Sequence, residues 1–492
     1  MWIWEWMQPG RAHARLLSGT TTLILDELAE RSAVGKAVET LRGRSVLIAT
    51  VDALTAALAL LELDGVVRRL VLAPPDLKPA HLRAVIDQAQ VEALVTSAPR
   101  SVAASAEQTP SAGLARQARE LLPETLHLAT DGPRQALSRR TSHQTEWILM
   151  TSGTSGPPKL VVHSLASLTD AFARAHPDVS APVWGTFYDI RRYGGLQILL
   201  RALRGATLVL PAPAQGPVEQ LSAAAAAGVT HMTGTASHWR SVLMSGQARR
   251  LSPRYVRLSG EIADQGILDA LHEAYPQACI AHAFASTEAG VAFEVEDGRA
   301  GFPASWVGGL VAGSSVPVPR SGTTRRPGEG GGPMAELRIV EETLRMRSGG
   351  TARGYLSQDR SLRDADGFVD TGDRVQQREG RCYFLGRSGG IINVGGLKVH
   401  PEEVEAVINA QPWVRVSLVS ARRNPITGAI VSAEVVLREA ADGEQRPAES
   451  LIIEQILAAC RATLPAHKVP AVVRAVASLP VSAAGKLVRP GA

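Results

Sequence analysis

Thr151-Ser152-Gly153-Thr154-Ser155-Gly156-Pro157-Pro158-Lys159 follows directly on the apolar run Trp147-Ile148-Leu149-Met150, and its reading decides the rest of the chain. Hydroxyl side chains alternate with Gly153 and Gly156, so backbone N–H groups and hydroxyls converge on phosphate oxygens, while Lys159 adds positive charge at the exit. Such a loop asks for a polyphosphate nucleotide. The P-loop pattern G-x-x-x-x-G-K-[ST] fails on spacing: two prolines separate Gly156 from Lys159, and Leu160 replaces the magnesium-holding hydroxyl. Taken alone, the loop also reads as a polar turn after a buried strand.

The chain has 492 residues, 45% of them hydrophobic and 20% charged, which is a globular composition long enough for at least two domains. The formal charge of +5 comes from 52 basic and 47 acidic residues, with basic pairs such as Arg139-Arg140, Arg191-Arg192 and Arg325-Arg326 scattered along the chain. That distribution suits anionic ligands and argues against a nucleic-acid stripe. Cys279, Cys382 and Cys460 are too few and too far apart for a disulfide framework or zinc ribbon, so a reducing cytoplasm is expected. The start, M-W-I-W-E-W-M-Q-P-G-R, carries an acid within a short apolar run and reads as neither signal peptide nor membrane span; Ala56–Leu63 is also far too short to cross a bilayer.

From Arg44 to Ser97, strand-like runs (46–51, 70–72, 93–96) alternate with helical stretches (53–63, 80–90), the weave of parallel sheets with flanking helices. After the glycine loop the pattern predicts helices over 167–175, 196–204 and 217–227 and a strand over 206–210. Beyond Pro303 come short strands and glycine turns, and Ser321–Pro333 is expected to have no fixed structure. A final α+β unit begins near Ser388, with strands over 391–394, 417–420 and 429–437 and helices over 401–410 and 451–463. The expected fold is therefore α/β: a large N-terminal domain (1–387) of parallel-rich sheets with a small β-rich subdomain, and a small mobile α+β C-terminal domain (388–492).

Five further segments follow the loop in order: Phe284–Glu288 (F-A-S-T-E), Glu336–Tyr355, Val369–Asp373 (V-D-T-G-D), Gly386–Glu405, and Pro480–Arg489 (P-V-S-A-A-G-K-L-V-R). Together with the loop they resemble the adenylate-forming superfamily of acyl-CoA synthetases, aryl-CoA ligases, adenylation domains and luciferases. The resemblance runs from about Asp26 to Arg489. It implies an enzyme in which a carboxylate attacks the α-phosphate of ATP and releases pyrophosphate, after which a thiol, most simply that of CoA, displaces AMP. Two anions must meet, so magnesium and a lysine are the expected tools.

By that resemblance Thr151, Ser152, Gly153, Thr154, Ser155, Gly156 and Lys159 cradle the phosphates. Glu288 binds magnesium, and Thr287 contacts the α-phosphate. Phe284, Ala285 and Ser286 flank the adenine, Phe284 standing where the family usually has tyrosine and Ala285 where it has glycine. Gly260 and Glu261 border the adenine, and Asp373, joined by Arg387, accepts the ribose hydroxyls. Lys486 bridges the carboxylate and the α-phosphate from the tail. Each motif has a plainer alternative: a helix cap for S-T-E, a turn for T-G-D, a solvated tail for Lys486.

The family rotates its small domain about a residue just after G-R. Here that hinge is Gly389, followed by Gly390, which leaves rotation free but softens its endpoints. Gly395 and Gly396 would line the tunnel for a pantetheine arm, or form a plain turn. Leu160 and Leu165 depart from the family's glycine and histidine. No H-E-x-x-H pair occurs, so His231, His238 and His282 are expected as core or pocket-wall residues.

The acyl pocket is expected from 188–195, 232–238 and 282–289, with Tyr188, Asp189, Arg192, Tyr193, Gly194, Thr233 and His282 as its contacts. The polarity of Y-D-I-R-R-Y points to a small polar or aromatic acid, since an unpaired buried guanidinium is costly. Alternatively Asp189 pairs with Arg191 or Arg192 on the surface. Three functions stay open: an acid-CoA ligase; an enzyme passing its adenylate to a carrier-protein thiol or an amine, or activating a non-carboxylate oxyanion; and a nucleotide-binding regulatory protein without turnover. No nucleic-acid partner and no membrane span are expected.

Overall fold

The computed structural model describes residues 1–7, 14–98, 109–136, 142–151, 157–172, 182–213, 215–308, 331–356, 361–387, 390–394, 397–424, 428–440, 445–482 and 486–489. Of the expected site, Ser152 to Gly156, Gly389, Gly395 and Gly396 lie outside the described residues.

Trp147 to Met150 forms the strand Glu146–Thr151 of a seven-stranded sheet. Its order is Gly354–Tyr355, Lys159–His163, Glu146–Thr151, Arg69–Leu72, Ser45–Ile48, Ala93–Ser97 and Thr125–Leu128. The last five run parallel, and Lys159–His163 returns antiparallel on Glu146–Thr151 with Lys159 opposite Thr151. The two edges of the glycine loop are thereby pinned side by side.

A nine-stranded sheet follows the order Gly332–Pro333, Gly290–Val295, Cys279–Ser286, Tyr255–Ser259, His231–Gly234, Val183–Thr186, Thr207–Val209, Arg15–Ser18, Thr21–Ile24. Gly332–Pro333 pairs with Phe293 and Glu294, so the end of the stretch expected to lack structure is an edge strand; 321–330 lies outside the described residues.

The helix Ala53–Leu63 is buried along all 11 residues, packed with strands of both sheets in one core. Its sequence is apolar apart from Thr55, bonded to Asp52, and Glu62, which accepts from the Ser32 hydroxyl and Ala33 N–H, so it can serve as the layer between sheets. Asp52 caps it, accepting from the Thr55 N–H and hydroxyl. The tryptophan-rich start is a short helix, Ile3–Met7, seated on this layer: Trp4 donates to Leu61 O and Trp6 to Leu200 O. Among the described residues no helix is long and apolar enough to cross a membrane.

Two helix starts differ from expectation. One begins at Leu165 because Ser164 and Ser167 cap each other reciprocally, and gives way to a 3-10 turn at Asp170. The other begins at Tyr193, ahead of the expected Leu196. Gly194-Gly195 reads as a breaker, yet a Cβ on Gly195 would lie 2.3 Å from Asp189 O, so glycine there allows close packing.

A five-stranded antiparallel sheet (Phe302–Pro303, Arg381–Arg387, Val369–Arg378, Thr343–Arg347, Glu336–Val340) forms the β-rich part. The chain from Ile392 has its own core of Ile392, Val399, Val404, Ile408, Val419, Ile452 and Ile456 beneath the strands Val414–Asn424, Gly428–Leu437 and Val472–Ala475.

Candidate active site

Thr287 and Glu288 occupy the turn between Cys279–Ser286 and its antiparallel partner Gly290–Val295. The helix-cap alternative is therefore wrong: the Ser286 hydroxyl accepts from Ala289 N–H at 3.0 Å and closes a hairpin turn. Glu288 Oε1 accepts from the Tyr355 hydroxyl at 3.2 Å, and Glu288 has no other side-chain partner among the described residues. Lys159 Nζ lies 5.1 Å from the centre of the same tyrosine ring. Burial and the Glu288 carboxylate push the Tyr355 phenol up to about 12, so it remains a donor. Behind the turn, buried His163 donates from Nε2 to Thr287 O at 2.7 Å. Burial holds this imidazole down at about 4, hence neutral.

Asp373 and Arg387 face each other on adjacent strands, the guanidinium Nε 3.6 Å from Oδ1. T-G-D thus lies on the strand Val369–Arg378 and is not a plain turn, although Gly372 has φ +69°. Desolvation raises the Asp373 carboxyl above its ordinary range, with Arg387 and Lys486 opposing. Phe284 stacks on Phe384 at 4.8 Å between centroids, so that neighbour covers part of the ring expected against adenine.

The tail closes the cleft. Val481 and Leu487 bridge antiparallel, and Ser482 N–H donates to Lys486 O at 2.7 Å. Leu487 N–H donates to Glu261 Oε1 at 3.2 Å, and Glu261 also accepts from the Ser237 N–H and hydroxyl. Glu261 therefore ties the tail to the large domain. A Cβ on Gly260 would lie 3.3 Å from Lys486 Cε and 3.6 Å from Nζ, so the bare glycine admits the ammonium. Lys486 keeps an exposed surface, yet the protein atoms crowded around its ammonium lower its pKa by desolvation; Glu261 and Asp373 oppose that effect.

Beside Ser259 a cavity of ≈ 30 Å³ opens, lined in part by Tyr188, Tyr193, Gly194, Arg201, Arg257 and Ala285. Four expected pocket residues are absent from its wall. Asp189 is locked in a buried bidentate pair with Arg191, which also donates to Thr50 O, so the expected surface pairing is instead internal. Arg192 is paired with Asp76. Thr233 is fully buried and donates to the Thr186 hydroxyl. His282 contacts Arg299 O, and its pKa is lowered by burial. His238 stacks on Phe187, in keeping with a wall or core role.

A family model described as "AMP-binding enzyme" matches residues 45–356, and one described as "AMP-binding enzyme C-terminal domain" matches 403–486. The chain belongs to the AMP-binding enzyme family. Acyl-CoA ligase ppsA of Aspergillus oryzae is 30% identical over 278 residues, covering 54% of this chain and 48% of that protein, so the match spans about half of that relative's length. The solved anthranilate CoA ligase AuaEII with anthranoyl-AMP superposes over 99% of this chain and 94% of its own, with a TM-score of 0.74 at 19% identity. The amide bond synthetase McbA from Marinactinospora thermotolerans does so over 99% and 97%, with a TM-score of 0.73 at 19% identity. These two likenesses show the shared fold.

Two features of this AMP-binding enzyme escape sequence reading. Tyr355 meets Glu288 and Lys159 only because Gly354–Tyr355 pairs with Val161-Val162. Its sole signal is its place at the end of the Glu336–Tyr355 segment. Arg489 holds the base of the tail, donating to Glu402, Glu405 and Val419 O. Across this junction Gly386 has φ +108°, and a Cβ there would lie 2.1 Å from Glu402 Oε2, so a side chain would displace the carboxylate that pairs with Arg489.

Proposed function

We propose that this chain is an ATP-dependent, AMP-forming ligase that activates a small acid as its adenylate and then transfers the acyl group to a thiol, that of CoA ahead of a carrier protein. The observation carrying this reading is the seating of Lys486 against Gly260, in the electrostatic field of Asp373 and Glu261. An ammonium there lowers the repulsion between the incoming carboxylate and the α-phosphate. A carboxylate oxygen bonds to the α-phosphorus as the bond to pyrophosphate breaks; in the second half the thiolate bonds to the acyl carbon and AMP leaves.

In this reading Thr151 and Lys159, with 152–156, hold the phosphates, Thr287 contacts the α-phosphate, and Asp373 with Arg387 holds the ribose. Phe284 to Ser286 and Gly260 border the base. Tyr355 orients Glu288 and His163 positions Thr287. Among the described residues no cluster of three metal-ligating side chains occurs, and Glu288 stands with a single hydrogen-bond partner. That fits magnesium, which takes most of its ligands from phosphates and water and would neutralise phosphate charge there. The chain is proposed to divide into 1–387 and 388–492, a division supported by the separate core beyond Ile392.

Pyrophosphate exchange over a panel of small acids, followed by CoA, a carrier protein and amines as acceptors, tests the proposal. Acid-dependent exchange and a thioester product are expected. Absence of exchange with every acid would leave a nucleotide-binding protein without turnover; an amide in place of a thioester would move the acceptor.

A further inference from the structure

The cavity beside Ser259 carries an excess of positive charge. Glu294 is buried, accepting from the Tyr255 hydroxyl and from Arg257 Nε, both at 2.7 Å. Arg257 meets it only through Nε, which leaves the two terminal amino groups of a buried, cavity-lining guanidinium without a hydrogen-bond partner among the described residues. Arg201 lines the same cavity. Its guanidinium carbon lies 5.6 Å from the centre of the Phe172 ring and 5.5 Å from that of Trp184, and it makes no hydrogen bond or ion pair among the described residues. Stacked aromatic contacts hold a guanidinium while leaving its in-plane N–H donors unused.

Two cations face one carboxylate. The tyrosines at the cavity, Tyr188 and Tyr193, and Tyr255 beside Glu294 are all pushed up by burial and stay neutral, so they cannot balance the difference. Asp170, whose charge Tyr193 also senses, is solvent-exposed. Beside a small cavity, guanidinium N–H groups without hydrogen-bond partners are a ready seat for an anion. Ser259 and Ala285 also line the cavity, and the next residue after Ser259 is Gly260, where Lys486 sits.

Resting on the ligase reading above, we propose that the activated acid is a short aliphatic dicarboxylate: one carboxylate reacts beside Lys486, and the other is held by Arg201 together with the free end of Arg257. A planar fork of N–H donors matches a carboxylate better than any neutral group. The volume limits what the cavity itself can hold. Space of ≈ 30 Å³ admits about two or three waters, whereas a benzene ring needs a cavity of roughly 150 Å³. The aromatic option for the acid is thereby disfavoured.

The test is pyrophosphate exchange by the full chain with malonate, succinate and glutarate against propionate, butyrate and valerate, and with succinamate as the neutral mimic of succinate. At least one dicarboxylate should exceed its monoacid partner tenfold or more in kcat/KM, with succinamate behaving as a monoacid. Arg201→Gln should cut the ratio of diacid to monoacid kcat/KM at least tenfold, and Arg201→Lys less. Monoacids equal to or better than diacids in the wild-type enzyme overturn this proposal alone, whether or not the variants fold, as does an unchanged ratio in a folded Arg201→Gln enzyme. Exchange with no acid of any kind overturns the ligase reading and this proposal with it.

Discussion

The Leu487 N–H donates to Glu261 Oε1 at 3.2 Å, joining the residue after the tail lysine to the residue after Gly260. One hydrogen bond between neighbours of Lys486 and Gly260 thereby sets the ammonium over the cleft. Lys486→Ala should cut acid-dependent pyrophosphate exchange at least about 100-fold, the scale of losing one preorganised charge at a developing anion. Consumption of a preformed acyl adenylate should persist. Exchange at the wild-type rate would remove Lys486 from the chemistry.

Glu288 and Tyr355 separate a metal-binding role from a positioning one. Glu288→Gln should lower exchange by about 100-fold or more and raise the magnesium concentration needed for half-maximal rate. Tyr355→Phe removes one neutral hydrogen bond, so a loss of about 2- to 10-fold is expected. A magnesium titration that is unmoved by Glu288→Gln would refute the assignment.

Asp189 is a structural residue by its surroundings. Asp189→Ala strands Arg191 in the interior, which should cost about 3–5 kcal/mol of stability. Thermal melting reads this directly. A raised KM for the acid at unchanged Tm would return Asp189 to the pocket.

Burial holds His163 and His238 down at about 4, against 6.5 when exposed. The unfolded chain therefore binds protons that the folded one refuses: the stabilisation is full above pH 6.5 and is lost as pH falls toward 4. Each histidine accounts for about 3 kcal/mol across that window. Glu405, raised to about 7, and Asp64, raised to about 6, act with the opposite sign, being most favourable at low pH. The informative measurement is the difference in urea midpoints between wild type and His238→Gln at pH 7.5 and 5. The variant should lose less on acidification; parallel curves would mean that His238 titrates normally.

Much of the architecture is legible from local pattern. Ala53–Leu63 is apolar except for Thr55 and Glu62 and is a buried helix over those same residues, and Trp147 to Met150 is a central strand, because each pattern spans its whole element. Element starts were missed where a side chain or a packing contact outweighs propensity, as at Ser164 and Gly195. The nucleotide half of the candidate site rests on contiguous motifs, so resemblance could single out Glu288, Asp373 and Lys486. The acyl half has no such motif. Arg201, Arg257 and Glu294 come from a helix and two different strands, and nothing in their local sequence foretells that they meet, whereas the conspicuous Y-D-I-R-R-Y run satisfies most of its charges internally.

The helix Ala53–Leu63 belongs to both large sheets at once. Neither sheet can shed its neighbour without opening that helix to water along its full length, so these two layers melt together in a single cooperative step. The segment beyond Ile392, resting on its own apolar centre, is free to come apart at a different temperature, and calorimetry of the whole chain should resolve two events of unequal enthalpy.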